Sequence, residues 1–280
     1  MSDIAQRPSQ AAFESDDQAA DLFRAKARRL TMRRRVLPVV TILVLVLIWE
    51  AGVRYFEVPN FIAPAPSAVF ATLWSRFPMF MENLAPTALQ ALAGYVIGNL
   101  AAVAVATTFV YRPTAEEAFF PLAVMMNTVP TVAKAPILVL LLGNGMEPKV
   151  AIAALICFFP TLVNMTRGLR AVSSQQLELM RILSASEREV FTKLRLKNAM
   201  PYLFAALKIT APSAVIGSIV AEWIGSTRGI GALIIEATYN YDSVLLYATI
   251  IVGATFSAAF FGVVSLFERH FLKWNDRANQ

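Results

Sequence analysis

Residues 167–197, RGLRAVSSQQLELMRILSASEREVFTKLRLK, decide how this chain folds. The stretch carries Arg167, Arg170, Arg181, Arg188, Lys193, Arg195 and Lys197, and long apolar runs flank it on both sides. Charged side chains in such numbers cannot sit in hydrocarbon, so an island of this kind between two membrane-length segments must be a loop or small subdomain in water. An excess of Lys and Arg in a short loop marks the cytoplasmic face.

The composition agrees. Of 280 residues, 57% are hydrophobic and only 16% charged, too apolar for an ordinary soluble domain. A spanning helix needs about 20 mostly apolar residues, and six segments approach or meet that length: 36–53, 85–111, 118–142, 150–166, 201–223 and 243–267. The expected fold class is all-α, a polytopic membrane protein with six transmembrane helices. Residues 1–35 form a polar and then basic tail, disordered at its start; 36–275 form the membrane domain; 276–280 are a C-terminal tail. Cys157 is the single cysteine and His270 the single histidine, so neither a disulfide framework nor a Cys/His metal site is in prospect. The first apolar run ends in Trp49, Glu50 and Arg54 rather than at a small-residue cleavage site, so it reads as a retained span, not a signal peptide.

Orientation follows from the basic residues. If the spans alternate from an inside N-terminus, only Arg54, Arg76, Lys149 and Arg228 fall outside, and Lys134 and Lys208 fall within spans; the rest of the 25 Lys and Arg are inside. Both termini are therefore expected in the cytoplasm, and the net charge of +6 reads as membrane orientation, not nucleic-acid binding.

Several features of the spans bear on function. In residues 68–80, Val69, Phe70, Leu73, Trp74 and Phe77 recur at helical spacing, as in an amphipathic helix on the outer interface that either docks a partner or simply covers the bundle. Gly94 and Gly98 form a G-x-x-x-G pair, suited to close approach of a helix from the same chain or a second copy. The third span carries Pro121, Pro130 and Pro136 and should be broken or kinked. Irregular backbone and an ammonium at membrane depth must be buried in protein or line a watery cavity. Lys134, with Asn127, Thr128 and Thr131, therefore either lines a translocation route or sits near one interface. Lys208 reads as a snorkelling lysine about two turns into the fifth span. Glu222 is either exposed to water, paired with Arg228, or a pathway residue.

Within the island, Leu177, Met180 and Leu183, then Val190, Phe191 and Leu194, recur three and four apart, giving two short amphipathic helices at about 173–199. Ser184 with Glu187, or Ser186 with Glu189, makes a capping box at the start of the second helix, which should end before Pro201 opens the fifth span.

Glu178-Leu179-Met180, Ser184-Ala185-Ser186, Leu194-Arg195-Leu196-Lys197 and Pro201-Tyr202 resemble the EAA loop of ABC importer permeases. Ser184 stands where that family has Gly, and Lys197 where it has Pro. An N-capping Ser begins a helix about as well as Gly, so the turn is expected to survive. Ile62-Ala63-Pro64-Ala65-Pro66-Ser67, Val129 to Pro136, Gly143-Asn144-Gly145 and Phe158-Phe159-Pro160 are similar to the nitrate, sulfonate and taurine branch. Phe158-Phe159-Pro160 followed by Val163-Asn164 and Gly168-Leu169 is most similar to permeases for riboflavin or a thiamine-precursor pyrimidine. The resemblance implies a type I ABC importer permease in the bacterial inner membrane. It would pair with a second copy as a homodimer, receive solute from an extracytoplasmic binding protein, and be driven by two ATP-binding subunits. Glu178, Leu179, Leu183, Ser184, Ala185, Ser186, Phe191 and Leu194 would couple to the ATPase. The expected pathway residues are Asn127, Thr131, Lys134 and Glu222.

No Gly in the chain precedes a Lys, so a P-loop cannot form here and ATP must be bound by a partner. No cofactor or metal is expected in the chain itself. The rival classes are a stand-alone carrier and an intramembrane enzyme. The second lacks paired catalytic groups or ligands in the spans, and copurification of an ATPase would separate the first.

Overall fold

The computed structural model describes residues 32–33 and 36–272. They divide into two units, one ending at Ser67 and one beginning at Ala68. The expected tails 1–35, apart from Met32 and Arg33, and 276–280 lie outside the described residues.

In the first unit, α1 (Val36–Tyr55) is an apolar helix long enough to span a membrane. Near its end Glu50 accepts hydrogen bonds from Arg54 Nε (2.6 Å), Ser67 Oγ (2.8 Å) and the Ser67 backbone N–H (2.9 Å). Ser67 is the second residue of α2 (Pro66–Ser75), so the carboxylate satisfies an orphan amide at a helix start, where negative charge is favoured.

The second unit continues with α3 (Phe77–Tyr111), α4 (Pro113–Thr128), α5 (Thr131–Leu142), α6 (Glu147–Arg170), α7 (Ser174–Ile182), α8 (Glu187–Glu222), α9 (Ile230–Tyr239) and α10 (Ser243–Phe271). Among the described residues five helices, α1, α3, α6, α8 and α10, are each long and apolar enough to cross a membrane, and α4 and α5 pass the same test only taken together as a bent pair, which gives six spans if the pair is one. The pair turns by 102°. Of the three prolines in this segment, only Pro130 marks the break; Pro121 and Pro136 remain inside their helices. Steric clash with a following proline pushes a residue out of the helical region, and Val129 is extended, at φ −68° and ψ 126°.

The core is the packing of α6 between α3 and α8. Apolar solvent offers no hydrophobic drive for helix association, so close packing and interhelical hydrogen bonds must supply it. Gly94 lies against Ala153 and the Val150 carbonyl, and Gly98 against the Ala154 backbone, so closely that a Cβ on either would collide. The G-x-x-x-G pair therefore packs within the chain. The next residue, Asn99, accepts through Oδ1 hydrogen bonds from Thr161 Oγ1 (2.5 Å) on α6 and Thr210 Oγ1 (3.3 Å) on α8, and its amide donates to the Tyr95 carbonyl (2.7 Å). All three side chains are buried, where an unpaired polar group would be costly.

Four expectations are corrected. The amphipathic helix expected over 68–80 stops at Ser75; Phe77 and Phe80 belong to α3, whose first turns are held by burial of Phe80 against Val69, Leu233 and Leu245. The second island helix does not end before Pro201: it is the start of α8, which runs through Pro201 and Pro212. Each proline removes one backbone bond, and packing against α6 carries the helix across. Residues Val190–Arg195 form a π-helical stretch that joins the two parts. Lys208 does not snorkel but forms an ion pair with Glu268 on α10 at 2.7 Å. Ser184 is not an N-cap, as described below.

Replacing Gly98 with Ala should push α6 off α3 and destabilise the purified protein by about 1–3 kcal/mol, the usual range for overpacking. Gly262→Ala, where nothing lies within 4 Å of the added carbon, should leave the thermal unfolding midpoint in detergent unchanged or slightly raised. Equal midpoints for the two variants would contradict this packing.

Candidate functional site

The island is built from capped, sharply bounded pieces. Ser173 and Gln176 form a capping box at the start of α7, with Gln176 N–H donating to Ser173 Oγ (3.3 Å) and Ser173 N–H to Gln176 Oε1 (3.2 Å). At the other end the Ser184 N–H donates to the Arg181 carbonyl (2.9 Å) and the Ala185 N–H to the Met180 carbonyl (3.0 Å). This is the Schellman pattern, which requires a left-handed residue at its pivot and normally takes Gly there. Ser184 occupies the pivot at φ +51°. The Gly of the family pattern is thus explained as a helix stop, and Ser184 holds the same turn under strain. Of the two capping boxes expected for the next helix, Ser186 with Glu189 is the one formed: Glu189 N–H donates to Ser186 Oγ (3.4 Å) and Ser186 N–H to Glu189 Oε2 (3.1 Å).

These caps set which residues face outward. None of α7 is buried, and its outer side presents Leu179 (56% exposed), Ile182 (76%) and Leu183 (65%), next to exposed Glu178 and half-buried Ala185. Phe191 and Leu194 are half-buried. Phe191 packs on the cluster of Leu162, Met165 and Leu169 and against the Tyr111 ring at 5.6 Å, so it belongs to the island's own seat on the bundle and not to the outer patch. The spacing of Leu177, Met180 and Leu183 marks one apolar face and leaves Ile182 off it; in the structure Leu177 and Met180 are half-buried, and Ile182 joins Leu179 and Leu183 outside. Arg195 donates to the Leu169 carbonyl (3.1 Å) and Asn198 to the Gly168 carbonyl (3.4 Å). Two orphan carbonyls at the end of α6 are thereby satisfied by the start of α8. Arg170 pairs with Glu116 on α4.

Asn127 and Lys134 do come together, on either side of the break, lining a cleft of about 90 Å³ with Ala123, Met126, Leu155, Phe158 and Phe159. Thr131 opens α5 and is not among the cleft residues.

Glu222 stands apart from them. It is 1% exposed and accepts hydrogen bonds from Thr87 Oγ1 (2.8 Å) and the Gly231 N–H (2.8 Å), not from Arg228. Thr87 in turn accepts from the Ile230 N–H (2.9 Å), and Asn83 Oδ1 from the Gly229 N–H (3.0 Å). Three side chains from α3 and α8 thus satisfy the opening amides of α9, with the Glu222 carboxyl group at the positive end of the helix. Both expectations of exposure and of pairing with Arg228 fail because Gly229, at φ +126°, turns the chain so tightly that any Cβ would strike the Glu222 carboxylate. The sequence signal for this knot was the Gly229-Ile230-Gly231 run close behind Glu222.

Comparison with known proteins fixes the family. Residues 94–273 match the model of the binding-protein-dependent transport system inner membrane component. The formylaminopyrimidine transport permease protein of Halalkalibacterium halodurans is 29% identical over 241 residues, which is 86% of this chain and 96% of that one. The riboflavin transport system permease protein of Chloroflexus aurantiacus is 28% identical over 237 residues, 84% and 88% of the two chains. Among solved structures, a chain of the inward-facing MetNI methionine ABC transporter shares the fold, with a TM-score of 0.57, 17% identity, and coverage of 71% of this chain and 97% of that one. The protein is a multi-pass inner-membrane permease subunit of an ABC importer, a transport component and not an enzyme, and it belongs to the binding-protein-dependent transport system inner membrane component family.

Proposed function

We propose that the outer side of α7 docks on the ATP-binding subunit and that closure of two such subunits drives a homodimer of this chain between inward and outward access. The observation that carries this reading is the exposed trio Leu179, Ile182 and Leu183 on a helix that buries none of its own residues. Apolar anchors of this kind supply most of the energy of an interface when a partner covers them. Glu178, Ala185 and Ser186 flank the patch, and Ser184 sets its angle. Because the second island helix is the start of α8 rather than a separate piece, a push on the island moves that long helix directly. The Arg195 and Asn198 bonds pass the same motion to α6. Phe191 and Leu194 act from behind, seating the lever.

The island end is cytoplasmic in this reading, as are both termini, and the end carrying Glu222 faces the extracytoplasmic binding protein. The solute is riboflavin or a thiamine-precursor pyrimidine, a reading supported by likeness to the two permeases named above. A second reading, an anionic solute such as nitrate, a sulfonate or taurine, is favoured by one observation: Lys149 and Arg228, two of the four basic residues assigned to the outer face, line a single cavity. Asn127, Thr131 and Lys134 lie along the route in either case, whereas Glu222 fixes the outer end of the bundle.

Leu183→Glu should insert and fold normally but lose about 2 kcal/mol of docking energy, roughly thirtyfold in ATPase affinity, read by copurification of the ATP-binding subunit and by ATP-dependent uptake. Normal uptake in that variant would contradict the docking role. Ser184→Gly should relieve the left-handed strain and slow amide exchange in the island while transport persists. Ser184→Val, a β-branched residue at positive φ, should open the turn and uncouple hydrolysis from uptake. Identical exchange in wild type and both variants would refute the strained-pivot account.

A further inference from the structure

At the end of the bundle opposite the island, Gln90 of α3, Lys149 of α6, Asn144 of the loop before α6, and Ser226 and Arg228 of the loop after α8 line a cavity of about 360 Å³. Lys149 is only 7% exposed, and no carboxylate among the described residues lies within ion-pair distance of it. Glu222 attracts it electrostatically, but the oxygens of Glu222 are held by Thr87 and the Gly231 amide. A buried ammonium without a directly bonded partner is strongly unfavourable unless something in the cavity solvates it.

Two further groups in the same wall are also unmatched. Gln90 is 5% exposed with its Oε1 unpartnered, and the buried Ser226 Oγ has no partner either. Buried polar atoms in proteins are nearly always bonded, so unsatisfied ones converging on a cavity mark a place for a ligand. The wall is also pre-set: Asn144 Nδ2 donates to the Gly225 carbonyl at 2.8 Å, and the Asn144 amide fills the space beside Gly225, which turns at φ +69°. Lys149 and Arg228 supply positive charge and donors, no acidic side chain joins the lining, and Gln90 Oε1 requires a donor in return.

We propose that this cavity is a binding site for a small solute bearing an oxyanion together with an O–H or N–H donor. Lys149 and Arg228 take the anionic oxygens, Ser226 donates to them, and Gln90 Oε1 accepts from the donor. The site deepens the second, anionic-solute form of the importer reading and not the riboflavin or pyrimidine form, by naming a chemical class for what reaches the permease from its outer side, and it rests on the importer reading for its role in uptake. The volume lies at the lower end of the range for small-molecule pockets, about 300–1,000 Å³.

Equilibrium binding to the detergent-purified permease, in a Tris chloride buffer, tests the site without requiring transport. The probes are inorganic phosphate, which carries an O–H at neutral pH, and sulfate, which does not. Both should bind saturably, and Lys149→Gln should weaken both at least tenfold while Lys149→Arg retains most of the affinity. Gln90→Leu should lower the preference for phosphate over sulfate and leave sulfate binding nearly unchanged. Arg76→Gln, which alters another basic residue assigned to the outer face but outside the cavity, should bind as wild type does. Thermal midpoints in detergent report whether each variant is folded. Absence of saturable binding in the folded wild type, or equal binding by folded Lys149→Gln, would overturn the proposal. Loss of binding-protein docking in Lys149→Gln without any anion binding by wild type would likewise overturn it and assign the lysine to the partner surface. Failure of the importer reading itself would appear elsewhere, as ATPase copurification insensitive to Leu183→Glu.

Discussion

The close approach of α6 to α3, made possible by Gly94 and Gly98 and fastened by Asn99 to Thr161 and Thr210, is the contact on which the rest depends. In a hydrocarbon environment the helices gain nothing by hiding apolar surface from one another, so a fold must be assembled from small residues and satisfied polar groups. Here both devices occupy adjacent turns of one helix. With α3 and α8 fixed to α6, the α9 helix can be capped by Asn83, Thr87 and Glu222 at one end. The carbonyls of α6 can be capped by Arg195 and Asn198 at the other. The bundle is thus closed by side-chain capping at both ends, in each case by residues belonging to a neighbouring helix.

That arrangement explains what the sequence made legible and what it hid. Hydropathy and charge located the spans and the island because their signals are local: a run of apolar residues, a cluster of Arg and Lys. The break in the third span was readable from its prolines, and the Ser186 capping box was one of two readable from spacing. The role of Ser184 was not, because S-x-x-E spacing fits Ser184 with Glu187 as well as Ser186 with Glu189. Only the two carbonyl bonds from Met180 and Arg181 show that Ser184 ends a helix rather than begins one. Pro201 misled for a related reason. A proline is read as a boundary on local grounds, whereas packing of α8 on α6 carries the helix through it. Glu222 and Lys208 found partners 135 and 60 residues away, Thr87 and Glu268, which no local pattern announces.

The continuity of α8 changes what kind of machine the island can be. Two short helices followed by a separate span would form a hinge, able to absorb a push without passing it on. A single helix from Glu187 to Glu222 transmits it. Besides Pro201 and Pro212, the helix is interrupted by the π-helical stretch Val190–Arg195, and π segments inside α-helices tend to sit at functional positions. Here the stretch lies where Phe191 meets Tyr111 and Arg195 meets the end of α6, so the departure from α geometry coincides with the island's grip on the bundle.

The same reasoning bears on the two lysines that line cavities, Lys134 and Lys149. Lys134 and Asn127 line a cleft of about 90 Å³, well below the roughly 300 Å³ at which small-molecule pockets begin, so in this conformation it has no room for a transported solute. Lys149 faces a volume four times larger with unmatched polar groups around it. Both charges sit where a membrane protein must justify them, but only the second has space for a solute in this state. If Lys134 lines the route proposed above and the chain alternates between two states about the α7 and α8 lever, the cleft at Lys134 is the one to widen, because it straddles the 102° break, where the two halves can change their angle without unwinding either helix.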